Sequence, residues 1–250
     1  MSKIVVAEVA KNNEIAQGIL ELRLSLPGGY PTPEPGQFVN LYLNDTSLLL
    51  PRPISVCGHE ENLLTLVYAV VGRGTGMISG YGTGTKVRVS TPLGNGFTPD
   101  SAGPCLLVGG GVGVPPLLFL AKKLSAQGRT DVRAVLGFRS EPFLADEFPC
   151  AAEAATDDGC AGFRGNVVEL LEQSDIPAGA RIFACGPKPM LHSLARFAGE
   201  RGLALQVSLE ERMGCGYGAC VGCVCKTAKG SRKVCEDGPV FDASEVIWDE

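Results

Sequence analysis

Polar and apolar residues alternate in short runs through the first hundred positions, and the pattern changes abruptly after that. Runs at residues 3–10, 19–26, 37–43, 54–57, 63–71 and 86–91 carry strand-forming residues, and turn clusters such as Pro27-Gly-Gly and Gly82-Thr-Gly-Thr separate several of them. Six short strands at this spacing predict a small antiparallel barrel. A linker rich in Gly and Pro follows at residues 92–103. Beyond it, apolar strand-like runs at 105–108, 132–137, 181–185 and 203–209 are interleaved with helical patterns at 115–127, 166–173 and 189–201. Strands alternating with helices predict a parallel, doubly wound sheet. The expected division is a barrel at 1–99, an α/β domain at 100–209 and a small cysteine-rich unit at 210–250. The last is too short to build a core alone and is expected to lean on a bound group.

That last unit carries the most specific chemistry. Cys215, Cys220, Cys223 and Cys235 are spaced C-x4-C-x2-C-x11-C, and the first three match the loop spacing that holds a plant-type [2Fe–2S] cluster. Gly214, Gly216, Gly218 and Gly222 lie among them, which suits a loop that folds tightly around a cluster. Backbone N–H groups in such a loop can point at the cluster sulfurs and tune its potential. Structural zinc usually shows two paired ligand units, whereas one C-x2-C pair is present here and neither His59 nor His192 is near it. A disulfide staple is the other alternative, and it needs an oxidising compartment. Cys225 exceeds the four-ligand count and reads as a spare thiol. Lys226, Lys229, Arg232 and Lys233, between the last two ligands, face either solvent or a partner.

Composition narrows the setting. The net charge of −5, with no block of like charges, argues against nucleic acid. Ten cysteines and an N-terminus that reads as a strand point to a reducing, cytoplasmic setting. The longest apolar stretch, residues 105–121, is broken by glycines and prolines and does not read as a membrane span.

Four further motifs suit nucleotide cofactors. The planar fork of Arg52, in Arg52-Pro53-Ile54-Ser55, can clamp a diphosphate, and Ser55 can bond a flavin edge. Tyr68-Ala69-Val70-Val71-Gly-Arg-Gly74-Thr75 ends a strand in a glycine turn whose N–H groups can hold phosphate. Gly109, Gly110, Gly111 and Gly113 sit at a strand-to-helix junction, where the backbone can approach a pyrophosphate. Cys185-Gly186-Pro187-Lys-Pro-Met ends a strand at the sheet edge where ligands bind in such folds, and Cys185 can lie near a nicotinamide. Each alone can equally be a solvated edge, an ordinary turn or a buried small side chain. After the second strand of the α/β half, Arg139 and Ser140 suit a 2′-phosphate, while Glu141 or Asp146 suits a free ribose hydroxyl.

In this order the motifs resemble the ferredoxin–NADP reductase superfamily over residues 3–210. Within it, the tail from Glu210 to Cys223 with 234–241 resembles the electron-transfer subunits of class 1B dihydroorotate dehydrogenases, so that the resemblance covers essentially the whole chain. It implies that Arg52 to Ser55, Ala69 to Val71, Gly74 and Thr75 hold FAD. Gly109 to Pro115 and Cys185 to Met190 then frame NAD, and the four cysteines bind the cluster. Ile54 departs from the aromatic residue common at that position, so stacking on the flavin is absent or supplied elsewhere. The resemblance further implies an FMN-containing catalytic subunit as partner, in a heterotetramer of two plus two. Three other readings stay open: a reductase subunit of another complex such as a hydrogenase, an oxygenase reductase working in the opposite direction, and a non-enzymatic zinc or iron–sulfur module that senses redox state. No Ser–His–Asp or paired-carboxylate motif is evident.

Overall fold

The computed structural model describes residues 3–45, 47–99 and 103–248. Residues 1 and 2 of the expected barrel, 100–102 of the expected linker and 249–250 of the expected C-terminal unit lie outside the described residues. Six strands, β1 (Ile4–Ala16), β2 (Ile19–Ser25), β3 (Phe38–Tyr42), β4 (Arg52–Glu60), β5 (Leu63–Ala69) and β6 (Lys86–Ser90), close a barrel in the order β1-β2-β5-β4-β3-β6. All of its pairs are antiparallel. The alternation places Leu22, Leu24, Val39, Leu41, Leu64, Leu66 and Val89 inside it, each out of contact with solvent. Between β5 and β6 the chain forms a short helix, α1 (Arg73–Ser79), where the sequence pattern shows only a glycine turn.

The second half is a seven-stranded sheet. Its strands are β7 (Cys105–Gly110), β8 (Val132–Phe138), β9 (Ala151–Thr156), β10 (Phe163–Arg164), β11 (Arg181–Cys185) and β12 (Ala204–Ser208), all parallel, with one further strand from the C-terminal unit. Helix α2 (Val114–Ala126) covers one face, packing on Leu107, Ala134, Leu136 and Phe183. Helices α3 (Val167–Glu172) and α4 (Lys188–Glu200) cover the other, over Leu106, Val108, Val135 and Ile182. Two layers of helix explain why these strands are almost uniformly apolar.

The cysteine-rich segment is woven into the rest. It contains a hairpin, β13 (Val224–Thr227) with β14 (Gly230–Lys233), and then β15 (Val240–Asp242), which pairs antiparallel with β12 and extends the sheet. Phe38 of the barrel, Cys223, Val234, Cys235 and Phe241 share one apolar core with α3 and α4. Asn95 bolts the linker to this segment through both amide atoms, donating to the Val240 carbonyl and accepting from its N–H, each at 2.9 Å. All three units therefore meet at one junction.

Candidate functional site

The cluster loop leaves β12 after Ser208 and returns at β13. Its thiols fall into two pairs, Cys215 with Cys220 and Cys223 with Cys235, each pair joined by a backbone N–H···S bond. Backbone N–H groups converge on them. Tyr217 donates to Cys215 Sγ at 3.5 Å, Cys215 to Cys220 Sγ at 3.4 Å, Gly218 to Cys235 Sγ at 3.2 Å and Cys235 to Cys223 Sγ at 3.4 Å. Two pairs of thiols, with amides aimed at their sulfurs, fit a two-iron cluster in which each iron takes two cysteines. Gly218 has φ of 85°, and a Cβ there would lie 2.3 Å from the Glu236 carboxylate. Electrostatics divide the pairs. Burial raises the Cys215 thiol, but N–H donors from Tyr217, Cys220 and Ala219 and the Cys220 thiol outweigh it and bring it to about 7. Burial and the neighbouring Cys223 push Cys235 up to about 12. Cys225 stands apart, buried on β13 in the apolar core.

Three basic residues of this segment are committed within the chain. Lys233 Nζ donates to the Gly218 carbonyl at 2.9 Å and to Glu236 at 2.6 Å, Arg232 pairs with Asp237, and Lys229 pairs with Glu245. The loop also presents apolar side chains outward. Tyr217, Val221 and Val224 are exposed beside Cys220, which is itself exposed.

On the barrel, Arg52, Pro53, Ile54 and Ser55 open β4, and Ala69 closes β5, with Val70 and Val71 directly after it. Arg52 lies against the first turn of α1, where a Cβ on Gly74 would fall 2.0 Å from its Nε. The Thr75 hydroxyl accepts the N–H groups of Val71 at 3.0 Å and Gly72 at 3.2 Å, which fixes the turn into α1. The first amides of α1, which have no partner within the helix, lie beside the Arg52 guanidinium. Arginine, bare glycine and free amides together form a cradle that fits a diphosphate. Ile54 packs with the barrel core.

A cleft of about 950 Å³ lies between the barrel and the C-terminal edge of the sheet. Ala16, Gln17, Ile19 and Ala69 form its barrel wall, and Gly110, Gly111, Gly113, Gly186 and Pro187 its floor. Gly109 does not line it and packs against Val114 and Leu117. Cys185 is fully buried beneath, where burial drives its thiol upward, and its carbonyl lies 2.3 Å from where a Gly113 Cβ would stand. Arg139, Ser140 and Glu141 line the cleft, whereas Asp146 does not.

Three cleft residues carry no signal in a local reading. Asp157, after β9, shares the wall with Glu141. Asn166 caps α3, accepting from the Val168 and Glu169 N–H groups at 2.9 and 3.1 Å. The Glu169 carboxylate accepts from the Asn166 N–H in return at 2.9 Å, a capping box that starts α3 at the cleft wall. Glu210 opens to the cleft, yet the crowded walls desolvate its carboxyl and raise its pKa.

Barrel, sheet and motifs define a flavoprotein reductase of the ferredoxin–NADP reductase type with a four-cysteine unit at its C-terminal end. The solved structure of a phthalate dioxygenase reductase shares this fold, with a TM-score of 0.68 at 20% identity over 93% of this chain and 94% of that one. Closer is a structure from a study of flavin-based electron bifurcation by an NADH-dependent reduced ferredoxin–NADP oxidoreductase. It has a TM-score of 0.89 at 30% identity, covering 98% of this chain and 91% of the other. Residues 210–247 match the family described as the iron–sulfur cluster binding domain of dihydroorotate dehydrogenase B. Curated relatives named "Dihydroorotate dehydrogenase B (NAD(+)), electron transfer subunit" are 43% identical in Geobacillus thermodenitrificans and 39% identical in Caldanaerobacter subterraneus. The alignments cover 96% of both chains in the first case, and 97% of this chain and 98% of the relative in the second. The chain belongs to this family of dihydroorotate dehydrogenase B electron transfer subunits.

Proposed function

We propose that this chain is the electron-transfer subunit of an NAD-dependent dihydroorotate dehydrogenase, serving pyrimidine biosynthesis. It carries electrons from the FMN of a separate catalytic subunit, by way of a [2Fe–2S] cluster and FAD, to NAD+. The observation that carries this reading is adjacency. The thiol loop packs on β3, the flavin motif lies on the neighbouring strand β4, and the dinucleotide cleft opens along the end of β5. In this reading the three binding places follow one another along β3, β4 and β5, the order that electron flow requires.

When bound, the flavin supplies the exchange between single electrons on the iron–sulfur side and a hydride on the nicotinamide side. The chain's residues position these groups. Arg52 and the first amides of α1 hold the FAD diphosphate, with Ser55 toward the ring. Gly110, Gly111 and Gly113 bring the start of α2 close to the dinucleotide diphosphate. Cys185, Gly186 and Pro187 shape the floor under the nicotinamide, and Glu210 lines the cleft beside them. Cys215, Cys220, Cys223 and Cys235 ligate the cluster. The exposed Tyr217, Val221 and Val224 give the loop an apolar rim suited to a catalytic subunit, and two copies of each subunit complete a heterotetramer. Among the described residues no helix is long and apolar enough to cross a membrane. All ten cysteines are unpaired, which fits a cytoplasmic setting.

The choice of NAD rests on carboxylates. Asp157 and Glu141 line the cleft wall with Arg139 and Ser140, and a carboxylate that accepts from a ribose hydroxyl repels a 2′-phosphate. Asp157→Ser is expected to lower kcat/KM for NADH about tenfold and to raise it for NADPH by about as much. Steady-state kinetics with both nucleotides check this, and an unchanged ratio removes Asp157 from the specificity wall.

The reading as a whole is tested on tagged chain purified anaerobically from its native extract. Dihydroorotate-dependent reduction of NAD+ by the eluate, lost when the partner is stripped off by salt, is the expected result. An eluate that holds FAD and iron but ignores dihydroorotate overturns the partner assignment. It would favour a reductase subunit of another complex, the reading to which the bifurcating neighbour's close fold gives weight.

A further inference from the structure

Asn40 is a polar residue with no solvent exposure, set between Val39 and Leu41, which are equally buried. Burying an amide is unfavourable unless its atoms are bonded, so the bonds it makes identify its use. Its backbone N–H donates to Ser90 Oγ at 2.9 Å, which ties β3 to β6. Its Nδ2 donates at 2.9 Å to the carbonyl of Cys215, a cluster cysteine 175 positions away. Its Oδ1 has no partner and stands over the next residue. A Cβ on Gly216 would lie 2.4 Å from Nδ2 and 2.9 Å from Oδ1. Gly216 has φ of 78°, so both backbone conformation and space there demand glycine. On its other side Asn40 is in register with Pro53, inside the Arg52–Ser55 motif, and Pro53 has no N–H to offer. The side-chain amide therefore bonds the cluster loop, while the backbone of the same residue pairs with the strand of the flavin motif.

We propose that Asn40 is a positioning residue for the cluster: by fixing the Cys215–Gly216 peptide it sets the N–H···S bonds of the loop and, through them, the cluster's reduction potential. The inference rests on the cluster assignment above. The amides that reach sulfur follow directly on the fixed peptide, Tyr217 N–H to Cys215 Sγ and Gly218 N–H to Cys235 Sγ. Such bonds favour the reduced cluster, which carries one more negative charge. Freeing the peptide lets the amides swing away, and the cluster becomes harder to reduce.

A plain bolt between the barrel and the C-terminal segment is the competing role, and Asn95 supplies its control. Asn95 bolts the linker to the same segment, at Val240 and at the Asp237 carbonyl, and bonds no cysteine and none of the amides that reach sulfur. The experiment compares Asn40→Leu, Asn40→Ala and Asn95→Leu in the full chain, purified anaerobically. Iron and FAD are quantified, the reduced protein is examined by electron paramagnetic resonance, and the cluster is titrated potentiometrically. In the Asn40 variants FAD content is expected to hold, the cluster's resonance to shift, and the reduced-to-oxidised ratio at fixed potential to fall about tenfold, equivalent to about 59 mV for one electron. Asn95→Leu is expected to leave resonance and ratio as in the wild type. Asn40→Ala removes the amide without adding apolar bulk, so the result does not depend on whether leucine is accommodated. A wild-type cluster signal that neither Asn40 variant alters overturns the proposal alone, as does an equal shift in Asn95→Leu. A wild-type chain without a [2Fe–2S] signal overturns the cluster assignment, and this proposal with it.

Discussion

Cys220→Ser is expected to reduce dihydroorotate-dependent NAD+ reduction by the assembled enzyme about a hundredfold or more, while FAD stays bound. NADH oxidation by an artificial acceptor that takes electrons from the flavin is expected to persist at close to the wild-type rate. The choice among the four cysteines matters. Cys223 and Cys235 are only 1% and 2% exposed and share an apolar core with Phe38, Val234 and Phe241, so removing either disturbs packing as well as ligation. Cys220 is exposed, and its sulfur accepts one backbone N–H, from Cys215 at 3.4 Å. A serine there costs the fold little but replaces a soft thiolate with a poor ligand for an iron–sulfur centre. Iron analysis, FAD fluorescence and the two assays on one preparation separate the outcomes. Loss of both activities together would place Cys220 in the fold and not in the electron route. Retention of both would remove it from the ligand set.

The barrel was legible because its strands alternate: β2 and β5 keep a two-residue period on one buried face, and the core residues follow from it. Helix α1 was not legible. Its sequence, Arg73-Gly-Thr-Gly-Met-Ile-Ser, carries two glycines, which disfavour helix, and the turn into it is held by the Thr75 hydroxyl, which accepts from the Val71 and Gly72 N–H groups. Strand β9 was missed for the opposite reason. Ala151-Ala-Glu-Ala-Ala-Thr has no strand propensity, and it is extended because β8 offers it a parallel ladder. The hairpin of β13 and β14 hid among polar residues and ligands, and β15 gave no hint that it would leave the cysteine unit to join the sheet. The site divides along the same line. Glycine and cysteine motifs act through their own backbone or spacing, so a local reading finds them. Asp157, Glu210 and Asn40 act across the fold, and nothing in their neighbours marks Asn40 as a contact of Cys215.

Gly74→Ala is expected to give a folded chain that loses FAD, with affinity lowered about ten- to a hundredfold, the scale of one charge-assisted hydrogen-bond pair. The new methyl would fall 2.0 Å from Arg52 Nε and 2.4 Å from its Cζ and Nη2. These atoms are the far end of a flexible side chain, so Arg52 swings aside and the backbone of α1 stays put. The change therefore acts on the cofactor clamp rather than on the barrel. Gly113→Ala makes the contrast. There the methyl meets the Cys185 carbonyl at 2.3 Å and the Gly186 nitrogen at 2.6 Å, and both are backbone at the end of a central strand. No side chain can yield, so β11 or the start of α2 must move, and a stability loss of about 3 kcal/mol is expected along with nucleotide binding. Thermal unfolding and FAD content measured on both variants distinguish the two kinds of glycine. If Gly74→Ala keeps full FAD, Arg52 is not the clamp. If it unfolds as readily as Gly113→Ala, the close approach of Arg52 to α1 is structural and the diphosphate is held by other residues.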